Sequence, residues 1–283
     1  MVEKQPENAL LFPLKSEMPT VTVVRIKGIL SGILSTVFEF TESILLAGYF
    51  SEDNLLYQMH QKLNDKARVV FYGDDIWTNQ FGKWWTRYAD WNSLDINDLD
   101  TLDTNVSKHV LSELENGSDF DFMLVHMIGV DSAGHTFGSK HPQIERKLGL
   151  TEDFIRKVIE KMDDETTLVV YGDHGMTVGG SHGGNSLLEM HTAVFAYQKQ
   201  PFPFAKKYRE LHHHFGMIDS VVKQVDLAVI GAELTNVPIP FSNLGIMHPA
   251  FALSDDLSEV VKKMRKNIGQ VDTYLKSYCQ ETF

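Results

Sequence analysis

The segment FMLVHMIGVDSAGH at residues 122–135 joins a short apolar run to a polar cluster. The runs RVVFYG at 68–73 and TLVVYG at 167–172 have a similar build, and TAVFAY at 192–197 is a fourth apolar run. Short, continuously apolar runs rich in β-branched residues are typical of strands that are buried on both faces. Each run therefore indicates a strand inside a sheet.

The chain between the runs FMLVHMIG and TLVVYG has a helical period. Ile155, Val158, Ile159 and Met162 recur at helical spacing, and Thr151 stands where an N-cap is expected. A strand, a helix and a strand in that order favour a parallel sheet with crossover helices. We therefore predict an α/β fold with a mostly parallel sheet flanked by helices.

Acidic and histidine side chains follow each of the three strands that end in glycine. They are Asp74 and Asp75, then Asp131 and His135, then Asp173 and His174, with His182 shortly after. Parallel strands bring their carboxyl ends to one edge, where α/β proteins bind ligands. Carboxylates and imidazoles suit Zn²⁺, and Asp131 and His135 face one centre if their segment is helical. The sequence therefore predicts a metal site at this edge.

Three of the nearby polar residues have two interpretations each. Asp74 and Asp75 either contact a substrate or its ammonium group, or cap the turn after their strand. His126 lies within an apolar run, where a hydrogen-bonded core histidine is expected more than a ligand.

The segment PTVT at residues 19–22 is a second candidate site. A threonine at the N-terminus of a helix caps it, or faces backbone N–H groups that favour phosphate. As a nucleophile at neutral pH, its hydroxyl needs a base or a metal. On its own the segment predicts only a helix cap.

Composition limits what the chain can bind. With 283 residues, 43% of them hydrophobic, it can bury the core of one large domain. A formal net charge of −12 argues against binding nucleic acid or anionic lipid by bulk attraction, so a phosphate site must be built locally. The single cysteine, Cys279, excludes an intramolecular disulfide and a cysteine-based zinc site.

The sequence predicts neither a membrane span nor a signal peptide within this chain. Unbroken apolar stretches of about 18 residues do not occur, and MVEKQPENALLF lacks the basic and apolar regions of a signal peptide. Asn105 and Asn116 each begin an N-x-S triplet, which is glycosylated only in a secretory compartment.

Six motifs in a fixed order resemble a known family. They are PTVTVVRIKGILSG at 19–32, GDDIW at 73–77, GVDSAGH at 129–135, DHGM at 173–176, SHG at 181–183 and VPIPF at 237–241. Together they resemble the catalytic region of GPI ethanolamine-phosphate transferases in the alkaline-phosphatase superfamily. The resemblance is to the branch that acts on the second or third mannose of the anchor.

The resemblance implies two divalent metal ions, with zinc as the expected metal. One ion would be held by Asp131, His135 and His182, and the other by Asp173, His174 and the hydroxyl of Thr22. Thr22 would take ethanolamine phosphate from phosphatidylethanolamine and pass it to a mannose of a GPI-anchor intermediate. The resemblance also implies the luminal face of the endoplasmic reticulum membrane and a small multi-pass membrane partner subunit.

This chain departs from the family pattern at its beginning. Family members have an upstream strand ending in D-A-L-R, whose aspartate binds the threonine-side metal, whereas the 18 residues before Pro19 contain no aspartate. We therefore expect a truncated phosphotransferase domain at residues 1–253 that lacks its first strand and has little transferase activity. An amphipathic helix at residues 254–283 is expected to lead towards a membrane region.

Two other functions stay open from the sequence. A soluble metal-dependent phosphodiesterase or nucleotide pyrophosphatase would use the same metals and threonine on other phosphoesters. An inactive remnant would keep the fold as a binding domain. RIKGILSG and GDDIW favour the transferase, and a remnant should hold about one metal ion instead of about two.

Overall fold

The computed structural model describes residues 2–34, 50–93, 95–117, 119–215 and 221–282. Within these ranges the chain forms an α/β fold with two sheets. The strands are β1 Ala9–Lys15, β2 Val69–Asp74, β3 Arg87–Trp91, β4 Phe122–Val125, β5 Thr167–Tyr171, β6 His191–Gln198 and β7 Val222–Lys223. The helices are α1 Thr22–Ser31, α2 Leu55–Lys62, α3 Asp75–Phe81, α4 Thr101–Glu115, α5 Gly129–Phe137, α6 Pro142–Lys161, α7 Leu187–Met190, α8 Ala205–Phe215, α9 Asp226–Thr235 and α10 Leu257–Thr282.

The first sheet is parallel throughout and has the strand order β3-β2-β4. Its central strand β2 is buried on both faces, because successive side chains point to opposite sides. Val69 and Phe71 pack with residues of α2 and α3, whereas Val70 and Tyr72 pack with residues of α4. Helices therefore cover both faces, as predicted from the continuous apolar run.

The second sheet has the order β5-β6-β1-β7 and is mixed. Strand β6 runs antiparallel to both β1 and β5, and only the β1–β7 pair is parallel. The prediction of a mostly parallel sheet is therefore too simple here. The cause is the connection between β5 and β6, which contains a loop and the four-residue helix α7 instead of a long crossover helix.

Strand β1 was not predicted from the sequence. It pairs with β6 along its whole length, from Ala9 opposite Tyr197 to Lys15 opposite His191. Leu10, Phe12 and Leu14 point into the largest apolar core, together with residues of α8, α9 and the segment before α10. The expected absence of a further upstream strand stays a prediction.

Two helices can be compared with their predictions from the sequence. Helix α6 begins at Pro142 with His141 as its N-cap, so the N-cap prediction for Thr151 is wrong. Thr151 lies mid-helix, where its hydroxyl donates to the carbonyl of Lys147 at 3.0 Å. Helix α10 is present as expected, and its buried Asn267 accepts a hydrogen bond from the amide of Met247. The domain boundary at 253 stays a prediction.

Candidate metal centre and active site

The threonine segment leads directly into a helix. Helix α1 begins at Thr22, and the residue before it, Val21, is extended and makes no side-chain cap. The Thr22 hydroxyl lies at the helix N-terminus, and its Oγ1 is 3.3 Å from His174 Nε2. A hydroxyl in this position lies beside the positive end of the helix, where anions are stabilised.

Asp173 and His174 follow β5, at the edge of the second sheet. The Nδ1 atom of His174 lies 3.0 Å from the carbonyl oxygen of Gly175, which leaves Nε2 directed at Thr22 and 3.4 Å from Asp173 Oδ2. Burial by itself would raise the pKa of Asp173, but His174, His126 and the Thr22 hydroxyl together hold it below its ordinary value. Asp173 Oδ2 is also buried and has no hydrogen-bond partner in the described part of the chain.

Asp131 and His135 lie one helical turn apart on α5, as the sequence predicted. Asp131 Oδ2 is 3.2 Å from His135 Nε2. The loop after β5 brings in His182, whose Nε2 is 3.0 Å from His135 Nε2 and 3.7 Å from Asp131 Oδ1. The rings of His174 and His182 stack with centroids 4.0 Å apart. All six predicted side chains therefore meet in one place.

The nitrogen and oxygen atoms of these side chains are suitable ligands for a metal ion. Ligand atoms of Asp131, His174 and His182 all lie within 4.8 Å of one another, and His135 adjoins them. Two imidazole nitrogens 3.0 Å apart are suitably spaced for one ion, because Zn–N bonds are about 2.0–2.1 Å long. Asp173 Oδ2 is a further candidate ligand atom, 3.4 Å from His174 Nε2. Carboxylate and imidazole donors of this kind suit zinc.

Thr20 holds the loop that carries His182, a role that the sequence interpretation missed. Its buried hydroxyl accepts a hydrogen bond from the Gly183 amide at 2.9 Å and donates one to the Gly184 carbonyl at 2.8 Å. Its own carbonyl oxygen is 2.7 Å from His182 Nδ1. This contact fixes which ring nitrogen of His182 faces the other candidate ligands.

We expect Thr20→Val to weaken zinc binding by about tenfold or more, because it keeps the volume but removes both loop hydrogen bonds. Thr20→Ser keeps the hydroxyl and should retain most of the affinity. Zinc affinity would be measured by competition with a fluorescent chelator. Equal affinity in the valine and serine variants would show that the loop is held by other contacts.

Asp74 and His126 form a buried pair beside these residues. Asp74 Oδ2 lies 3.2 Å from His126 Nδ1, and the Asp74 side chain is 1% exposed. Desolvation would lower the pKa of His126, but Asp74, with Asp173 and Asp131 further away, raises it to about 9. The contact with Asp74 thus places His126 beside the candidate ligands. Its place directly after β4 is the signal that the sequence offered.

The remaining predicted residues lie apart from the central group. Asp75 is half-buried at the start of α3 and accepts a hydrogen bond from Ser93 Oγ at 3.1 Å. Asn105 is half-buried within α4, and Asn116 is exposed at the end of that helix. Substrate binding by Asp74 or Asp75 and glycosylation of the two asparagines stay predictions.

The fold is that of the alkaline-phosphatase superfamily. A superfamily member from Vibrio parahaemolyticus superposes with a TM-score of 0.52 at 13% identity, covering 86% of this chain and 62% of that one. The soluble domain of lipooligosaccharide phosphoethanolamine transferase A from Neisseria meningitidis gives 0.55 at 13% identity, covering 90% and 84%. At such low identity the likeness concerns the fold alone.

Sequence similarity places the chain in a narrower group than its fold does. The model of the type I phosphodiesterase / nucleotide pyrophosphatase family matches residues 53–239, and the chain belongs to this family. The mouse protein named GPI ethanolamine phosphate transferase 3, catalytic subunit, is 33% identical over the whole chain. The chain spans 25% of the length of that relative.

Proposed function

We propose that the chain is the catalytic region of an ethanolamine-phosphate transferase acting on GPI-anchor intermediates. The observation that carries the proposal is the Thr22 hydroxyl, which lies at a helix N-terminus 3.3 Å from His174 Nε2 and beside the other candidate metal ligands. The similarity to the mouse transferase covers the whole chain and supports the same activity.

The proposed ligand sets follow the family resemblance, and the pairwise distances are compatible with them. Asp131, His135 and His182 approach one another within 3.7 Å and would hold one ion. Asp173 and His174, with the Thr22 hydroxyl, form a second group and would hold the other. Two divalent ions, with zinc expected, would stabilise negative charge on phosphate oxygens and lower the pKa of the threonine hydroxyl.

The chain's own residues position the two steps of the transfer. In the first, Thr22 Oγ1 forms a bond to phosphorus while the bond from phosphorus to the diacylglycerol oxygen breaks, and the threonine proton is balanced by protonation of the departing oxygen. In the second, the oxygen of a mannose hydroxyl forms a bond to phosphorus and the bond to Thr22 breaks, and the proton lost by mannose is balanced by the one that restores the Thr22 hydroxyl. The N-terminus of α1 directs backbone N–H groups towards the phosphate oxygens in both steps.

The proposed substrates are a phospholipid and a glycolipid, so the proposed place of action is a membrane surface. By similarity we assign it to the luminal face of the endoplasmic reticulum, with a small multi-pass membrane protein as partner subunit. In the described part of the chain, we find no helix with the length and apolar character needed to cross a bilayer.

The direct test is made on this chain and on a version joined to an upstream D-A-L-R strand, with phosphatidylethanolamine labelled in its ethanolamine head group. With zinc present, we expect diacylglycerol release and an increase in protein mass equal to one ethanolamine phosphate, located on the peptide that contains Thr22. Adding a mannose-containing GPI intermediate should move the label to the glycolipid. Absence of both the labelled peptide and diacylglycerol would reject the proposal, with a chelator-treated sample as control.

A soluble phosphodiesterase is the second candidate, favoured by the match to the phosphodiesterase and nucleotide pyrophosphatase family. It would use Thr22 and the same ligands on nucleotides or other soluble diesters. Rapid hydrolysis of a nucleotide substrate, together with no turnover of phosphatidylethanolamine in detergent micelles, would favour this candidate over the transferase.

A further inference from the structure

Helix α5 carries two of the proposed metal ligands, and its beginning is held by a side chain from another helix. The Asp103 side chain on α4 accepts hydrogen bonds at Oδ1 from the amides of Ile128 and Gly129, at 3.1 and 3.2 Å. Ile128 is the N-cap residue and makes no side-chain cap itself. Asp103 therefore accepts hydrogen bonds from backbone N–H groups that have no partner within the helix. Its negative charge also interacts favourably with the positive end of the helix.

The other oxygen of Asp103 forms a buried ion pair with Lys147 on α6. Lys147 Nζ lies 2.6 Å from Asp103 Oδ2, off the direction of a regular hydrogen bond, and the two side chains are 2% and 7% exposed. The same ammonium donates to the carbonyl of Leu99 at 2.6 Å and to Asp100 Oδ1 at 3.2 Å. Three oxygen atoms thus surround a lysine that has almost no contact with water.

The backbone of Gly129 packs directly against this pair. A Cβ atom at Gly129 would lie 2.1 Å from Lys147 Cε and 2.2 Å from Asp103 Oδ2, which is far inside van der Waals contact. The start of α5 can therefore approach the pair only because residue 129 is glycine. Asp131 is two residues further along the helix, so the pair determines where the first ligand of the helix lies.

We propose that Asp103 and Lys147 are positioning residues for the metal centre, acting through the start of α5 on Asp131 and His135. The inference rests on the proposed function, since it concerns the same ligands. Contacts at the first turn restrain the helix from sliding along its axis, and misplacement of reacting groups by about 1 Å costs roughly a hundredfold in rate. Residues that orient metal ligands typically change metal affinity by about 10-fold to 100-fold when replaced.

The test compares zinc affinity in variants of the pair. Asp103→Leu and Lys147→Met should each weaken zinc binding by about tenfold or more. Asp103→Asn keeps an oxygen that can accept from both amides but loses the charge that pairs with Lys147, so its zinc affinity should lie between those of the parent and Asp103→Leu. The absorption spectrum of bound cobalt should also change in the leucine and methionine variants, because the ligand geometry around the ion changes.

A matched control separates positioning from general loss of stability. Lys263 on α10 pairs with Glu233 on α9, and Lys263→Met removes a lysine–carboxylate pair that does not touch α5. This variant should bind zinc as the parent does. A folded Asp103→Leu protein with parental zinc affinity and cobalt spectrum would overturn the inference, as would a folded Lys147→Met protein with both parental properties.

The outcomes also distinguish this inference from the proposed function. Suppose that the parent chain binds zinc but shows no transfer, and that Asp103→Leu weakens the zinc binding. The positioning role would then stand, and the proposed transferase activity would be rejected. A parent chain that binds neither zinc nor cobalt would overturn both.

Discussion

Replacing Thr22 with alanine is expected to abolish transfer, with a loss on the order of 10⁴-fold or more, as when the nucleophile of a covalent mechanism is removed. The hydroxyl that lies 3.3 Å from His174 Nε2 is the atom proposed to bond to phosphorus. Alanine leaves the α1 backbone and the Asp131, His135 and His182 group intact, so substrate binding should persist. The measurements are the initial rate of diacylglycerol release and the mass of the protein after exposure to phosphatidylethanolamine.

Thr22→Ser is the matched control for this substitution. Serine keeps the attacking oxygen but lacks the methyl group that restricts the side chain, so we expect a slower enzyme that still forms the covalent adduct. An alanine variant that releases diacylglycerol at the parental rate would place the nucleophile elsewhere. An alanine variant that forms the adduct at another residue would also contradict the assignment of Thr22, and peptide mapping would then identify the nucleophile.

The placement of the candidate ligands could be predicted because it depends on local patterns. Strands β2, β4 and β5 lie where the apolar runs predicted them, and Asp131 and His135 share a helix turn as their spacing indicated. Asp131 lies after β4 of the first sheet and Asp173 after β5 of the second, so a rule for one parallel sheet predicts only part of this arrangement. The ligand assignments themselves rest on the resemblance to a family and stay predictions.

The direction of the strands in the second sheet depends on tertiary structure. Strand β1, ALLFPLK, alternates buried and exposed residues around a proline from Leu10 onwards, and its identity as a strand follows from pairing with β6, about 180 residues later in the chain. The connection before the antiparallel strand β6 contains only the four-residue helix α7, and local propensity does not reveal the direction of β6. Long-range strand pairing of this kind is the part of a fold that is hardest to predict from a single sequence.

Lys147 shows the same limit for the site. On the amphipathic helix α6 a lysine would ordinarily lie on the solvated face, because a buried ammonium is costly unless it is paired. Its partner Asp103 lies 44 residues earlier, on a helix that the sequence gives no reason to place beside it. Pairs that position ligands from a distance therefore become visible only once the helices are packed.

Alanine at His182 or Asp131 is expected to lower zinc content from about two ions per chain to about one, and to reduce transfer by at least about 10³-fold. Each side chain is one of three proposed protein ligands to the same ion, and no nearby cysteine can replace it. Loss of a ligand also removes the stabilisation of charge on the phosphate oxygens during transfer. Metal content would be measured on dialysed protein, and transfer by release of diacylglycerol.

His213→Ala is the matched control, because His213 is an exposed histidine on α8 and its loss should change neither measurement. Excess zinc should restore part of the activity in His182→Ala if the ion binds weakly to the two remaining ligands, since mass action refills a weakened site. Asp131→Ala removes the only carboxylate of its group, so it should respond less to added zinc. Unchanged zinc stoichiometry in both variants would show that the ion is bound by other residues, and the assignment of Asp131, His135 and His182 would have to be withdrawn.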